Sequence, residues 1–124
     1  MNQNLIYKYR IELKNKVFNF ETGKEIHKSI STNNGELTTF LNDWTAQKIN
    51  ELLLPDFDEV MVNPGEKVIN GSETINVHIY NNIVEIYNSD YDFVSELPTQ
   101  DFKEIVIGWR DFLLTPPLNG TKIP

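Results

Sequence analysis

Thr74-Ile75-Asn76-Val77-His78-Ile79-Tyr80-Asn81-Asn82-Ile83-Val84-Glu85-Ile86-Tyr87 decides the fold. Apolar and polar residues alternate on both sides of Asn81-Asn82, the period of strands with one buried face. A two-residue Asn-Asn turn suits a type I′ hairpin, because asparagine tolerates left-handed φ better than most residues. This register pairs Ile79 with Val84 and Val77 with Ile86 on one face. On the other it pairs Tyr80 with Ile83, His78 with Glu85, and Asn76 with Tyr87. A slip of one residue would mix the two faces, so the pattern specifies its own register.

Downstream the period becomes helical. Phe102, Ile105, Val106, Trp109, Phe112 and Leu113 form one apolar stripe, with Lys103, Glu104, Arg110 and Asp111 facing water. Thr99 is the expected N-cap, Asp101 sits where the helix dipole favours an anion, and Pro116-Pro117 stops the run. Gly108 is expected to let this helix pack closely on the sheet. Upstream, Asn33 followed by Glu36 reads as a capping box. Leu37, Phe40, Leu41, Trp44, Ile49, Leu52 and Leu53 then share a helix face, interrupted only by Lys48, and Pro55 is expected to end the segment. Phe57 to Asn63 reads as a strand closed by the Asn63-Pro64-Gly65-Glu66 turn, with a loop through Asn70-Gly71-Ser72. The sequons at Asn70 and Asn119 are read as chance.

At the start, Leu5, Tyr7, Tyr9, Ile11 and Leu13 alternate with Lys8, Arg10 and Glu12, predicting a strand. Val17 to Phe20 and Glu25 to Ile30 predict two more, joined by the Glu21-Thr22-Gly23-Lys24 turn. The whole reads as one domain over residues 1–124 of the α+β class. A mainly antiparallel sheet of about five or six strands carries two amphipathic helices, over about residues 35–53 and 99–114.

Charge is uneven along the chain. The formal net charge is −7, yet residues 1–28 hold six basic groups against three acids. No Lys or Arg occurs from Ile79 to Phe102, where Glu85, Asp90, Asp92, Glu96 and Asp101 fall. Such a surface repels phosphates and argues against nucleic acid as a partner. No apolar run approaches the roughly 20 residues of a membrane span. Met1-Asn2-Gln3-Asn4 resembles no secretion signal and there are no cysteines, so a cytoplasmic setting is expected.

Chemistry-bearing patterns are sparse. His78 opposite Glu85 reads as a cross-strand contact in which the carboxylate favours the charged imidazole; His27 reads as a surface residue. Asp56-Phe57-Asp58-Glu59 and Asp90-Tyr91-Asp92 lack the spacing of a calcium loop. No phosphate loop, nucleophile elbow or zinc motif occurs, so no catalytic residue, cofactor or metal is expected. What stands out is the stretch from Glu85 to Glu96, which mixes four acids with aromatic rings. Glu85, Tyr87, Asp90, Tyr91, Asp92 and Glu96 form the candidate partner-binding set: rigid aromatic contacts beside carboxylates that can pair with lysine and arginine.

The run Tyr91 to Leu113, with its Leu97-Pro98-Thr99 step, Phe102-Lys103-Glu104-Ile105 helix and Trp109 three residues before Phe112-Leu113, carries a resemblance. It resembles the C-terminal part of small bacterial immunity proteins that accompany polymorphic and contact-dependent growth-inhibition toxins. The resemblance implies a cytoplasmic protein that binds and blocks one cognate toxin domain, often a nuclease, without catalytic residues of its own. The other reading is a small-ligand-binding or catalytic α+β domain with a pocket between sheet and helices.

Overall fold

The computed structural model describes residues 1–123. The protein is α+β, with two antiparallel sheets. One is three-stranded in the order β1-β2-β7; the other is four-stranded in the order β3-β4-β5-β6. The strands are β1 (Glu12–Phe20), β2 (Gly23–Ser31), β3 (Val68–Gly71), β4 (Asn76–Ile79), β5 (Ile83–Tyr87), β6 (Phe93–Pro98) and β7 (Thr121–Ile123). Helices are α1 (Gln3–Tyr9), α2 (Gly35–Asn42), α3 (Ala46–Lys48), α4 (Leu54–Val62) and α5 (Thr99–Leu113), with a π-helical turn over Ile49–Leu53.

The β4–β5 hairpin has the predicted register: Ile79 faces Val84, Val77 faces Ile86, His78 faces Glu85 and Asn76 faces Tyr87. Its inner residues Val77, Ile79, Val84 and Ile86 are fully buried. They share one core with Leu37, Phe40 and Leu41 of α2, Phe57 and Val60 of α4, and Phe102, Ile105, Val106 and Trp109 of α5. The Phe102 ring lies 5.8 Å from Phe40 and 5.6 Å from Phe57. Each such ring contributes about 1.5–3 kcal/mol through burial. Trp109 Nε1 donates to the Leu41 carbonyl at 2.8 Å, so the buried indole is satisfied and α5 is tied to α2.

Several local expectations are corrected. The segment from Leu5 to Tyr9 is helical. Asn2 caps α1 by accepting from Leu5 N, and Arg10 ends it in the left-handed region at φ 49°. Leu5 is buried and Tyr9 packs on the core at helical spacing, while Tyr7 is 87% exposed. Strand and helix periods agree at positions 5 and 9 and disagree at 7, and the core takes the helical solution. The predicted strand over Val17 to Phe20 is the far half of the longer β1.

Pro55 does not end its helix. It follows the π-turn directly, within backbone that is already helical at Leu53 and Leu54, and the widened turn accommodates its missing N–H. The stripe of Ile49 and Leu53 continues into Phe57 and Val60, so Phe57 to Asn63 is helix rather than strand. The first break falls earlier, where Thr45 restarts the helix by capping Lys48 N. Leu52, expected on the apolar stripe, is exposed. Asn34 rather than Asn33 caps α2, accepting from Leu37 N at 3.1 Å. The loop expected through Asn70 is β3, paired along β4.

At α5, Thr99 does not cap. Its hydroxyl donates to the Tyr80 carbonyl at 2.7 Å and ties the helix start to the hairpin. Gly108 approaches Met1, not the sheet: a Cβ there would run into the Met1 side chain. α1 is held against α5 by Tyr9, whose hydroxyl donates to Asp101 Oδ2 at 2.6 Å. Burial first, then this carboxylate, pushes the phenol pKa upward.

Candidate functional site

β5 alternates, so burying Val84 and Ile86 turns Ile83, Glu85 and Tyr87 to the outer face of the four-stranded sheet. Helices cover the inner face; the outer one is open to solvent. After Tyr87 the chain turns through a loop that one side chain organises. Asn88 Oδ1 accepts from Asp90 N at 3.0 Å and from Asp92 N at 2.9 Å. The Asn88 backbone adds bonds to Tyr91 N and to the Asp92 carbonyl, both 3.0 Å. Asparagine is suited to such local side-chain-to-backbone bonding.

The loop holds Tyr91 at φ 62°, a conformation that strains a tyrosine by about 1 kcal/mol or more. Its ring then lies 6.4 Å from Tyr87 and 6.5 Å from His78. Tyr87 stacks on His78 at 4.4 Å and meets the edge of Phe93 at 5.9 Å. Tyr91 is 58% exposed and Phe93 54%, so this aromatic cluster faces water. Large exposed rings gathered on a rigid sheet are the composition of an interaction surface.

The β5–β6 register sets Glu85 directly opposite Glu96. Like charges in that position oppose pairing, a cost of a few tenths to about 1 kcal/mol. Among the described residues no cation forms an ion pair with Glu85, Asp90, Asp92 or Glu96. Glu85 is compensated by neutral groups: the Tyr87 hydroxyl donates to its Oε1 at 3.0 Å, with the Tyr80 hydroxyl also beside it. Burial, with Glu85 beside them, raises the pKa of both Tyr80 and Tyr87 and keeps the phenols protonated.

All six predicted residues therefore fall on one surface. Glu85, Tyr87 and Glu96 stand on the sheet, and Asp90, Tyr91 and Asp92 stand on the loop at its edge. The stretch read from the sequence already holds Phe93 beside Tyr87 and Tyr91, though outside the six-residue binding set; His78 was missed as a member of the aromatic cluster. His78 was within reach, since the hairpin register sets it beside Glu85. The position of Phe93 was not, because a register shift between Ile86 and Tyr87 places it opposite Tyr87. His78 also reverses an expectation: burial and Lys67 lower its pKa, outweighing Glu85. Its Nε2 is buried without a hydrogen-bond partner.

The other candidates lie elsewhere. Asp56 is on α4 and accepts from Asn70 Nδ2 at 2.5 Å. Among the described residues no three His, Cys, Asp or Glu side chains gather as a cation site. The space between the four-stranded sheet and its helices is filled by the core, and His78 and Glu85 stand on the opposite face. Among the described residues no helix is long and apolar enough to cross a membrane. No protein-family profile, curated protein or solved structure matches this chain.

Proposed function

We propose that this chain binds a basic protein through the outer face of its four-stranded sheet and neutralises it by occlusion, without chemistry of its own. The observation that carries this reading is the Glu85–Glu96 pair, two carboxylates set opposite each other, in no ion pair among the described residues, on the sheet face that carries Tyr87 and the rings packed against it, Tyr91 and Phe93. A monomer bears the repulsion; a lysine or arginine from a partner relieves it and stacks on the rings. The cognate partner is a toxin domain, as the resemblance to immunity proteins implies, encountered in the cytoplasm. A nuclease toxin suits the chemistry, because a surface that holds nucleic acid is basic and an acidic inhibitor attracts it through the same field.

The test is copurification of the tagged chain with the product of the adjacent upstream gene, beside a Glu85→Lys/Glu96→Lys variant. The expected result is a tight complex and protection from toxicity, both lost in the variant. A variant that protects and binds as well as the parent removes this face from the interface.

A further inference from the structure

β1 is an edge strand: β2 pairs with one side of it, and among the described residues no strand pairs with the other. An unpaired edge presents a row of free backbone donors and acceptors, which proteins usually cover or blunt. From Lys14 to Phe20 every residue of β1 is exposed, so this strand is open on both faces along with its edge. The exposed set is unusually apolar, with Val17 at 54% and Phe20 at 53%. Phe18 stacks on Phe20 at 6.4 Å and meets the His27 ring edge-on at 5.0 Å, beside a shallow hollow of about 420 Å³.

The order of side chains along this edge is self-complementary. Two copies of β1 related by a two-fold axis normal to the sheet run antiparallel and keep their faces matched. An axis at Val17 sets Lys14 opposite Phe20 of the second copy, Lys16 opposite Phe18, Asn15 opposite Asn19, and Val17 opposite itself. Each ammonium meets an aromatic ring, an attractive contact, and no like charges oppose each other. Moving the axis to Lys16 opposes two lysines, and moving it to Asn15 opposes Lys14 and Lys16. An axis at Phe18 avoids both clashes but pushes the ends of the pairing into the Glu21-Thr22 turn, so fewer residues pair.

We propose that the free edge of β1 docks a second copy of this chain, joining two three-stranded sheets into one six-stranded sheet centred on Val17. The proposal is independent of the acidic face, which lies on the other sheet. The chain has no cysteine, so one introduced thiol reports the register. Residues facing each other across an antiparallel pair are within disulfide range. Sedimentation of the full chain is expected to show a reversible dimer. Val17→Cys is expected to cross-link under mild oxidation, whereas Asn19→Cys, whose opposite number is Asn15, is not. Phe18→Lys, which faces Lys16 of the second copy with a like charge, is expected to weaken the dimer at least tenfold, with circular dichroism showing the fold retained. A parent chain that stays monomeric at every concentration overturns the proposal. So does a dimer that Phe18→Lys leaves intact, or one in which Asn19→Cys cross-links as readily as Val17→Cys.

Discussion

Two hairpins of the protein, β4–β5 and β1–β2, differ in what holds them. β4–β5 buries Val77, Ile79, Val84 and Ile86 completely, and its turn is tied to α5 through Thr99. β1–β2 is longer, yet beyond Leu13 its first strand is exposed on both faces. A two-stranded ribbon alone is marginal in water; here β7 pairs with β2 along Lys24–Ile26 and Ile30 enters the core, and the hairpin draws further support from a polar cluster. Near its base it finds this in Lys28, which is only 5% exposed. Lys28 Nζ donates to Asn15 Oδ1 at 2.9 Å and Thr115 Oγ1 at 3.1 Å, and lies 4.1 Å above the Phe112 ring. Burial of this ammonium without a carboxylate lowers its pKa. One hairpin is thus fixed by apolar packing along both strands and can present an ordered face; the other is anchored through β2, by Ile30, Lys28 and the pairing with β7, and leaves the edge of β1 free.

The sharpest way to break that contrast is to truncate equivalent aliphatic residues. Ile86→Ala is expected to destabilise by about 2–5 kcal/mol, as buried truncations do, measured by urea unfolding. Val17→Ala is expected to stay within about 0.5 kcal/mol. Equal losses would mean that the β1–β2 ribbon is packed after all. Next in size is Asn88→Ala, which removes the acceptor for two backbone donors beside the acidic face. A loss of about 1–2 kcal/mol is expected, along with faster amide exchange at Asp90 and Asp92; unchanged exchange would take Asn88 out of its organising role.

Tyr91→Gly relieves the left-handed backbone and removes a ring. Stability is expected to hold or rise by up to about 1 kcal/mol while partner affinity falls, the pattern of strain kept for function. A stability loss with unchanged affinity would make Tyr91 structural. The smallest effect concerns His78. Its pKa is lower folded than unfolded, so acid protonates the unfolded chain first. Stability is therefore lost as pH falls through the ordinary histidine value near 6.5. His78→Phe is expected to flatten unfolding free energy against pH in that window, and an unchanged slope would assign it to other groups.

Legibility in the sequence followed the range of the interactions. The β4–β5 register was readable because alternation and turn chemistry lie within one short stretch and agree. α5 was readable to within a residue because a single stripe ends at a proline pair. Leu5 to Tyr9 failed because only Tyr7 distinguishes the two periods, and a tyrosine is tolerated both inside and out. Pro55 failed because proline directly after a π-turn and proline after a last turn look alike locally; the continuing spacing through Phe57 and Val60 was the available signal. The division of the strands into two sheets had no local signature. The acidic face was largely legible because five of its six predicted residues are close in sequence, whereas the Glu85–Glu96 opposition depends on a register that the Asn88 loop sets.

Glu96→Lys probes the main proposal most directly, because it replaces the repulsive cross-strand pair with an attractive one. Thermal unfolding and calorimetric affinity for the copurified partner are measured on the same sample. The expected result is a higher melting temperature, reflecting a gain of up to about 1 kcal/mol, together with at least a tenfold loss of affinity. An affinity equal to that of the parent chain would contradict the assignment of this face as the binding surface.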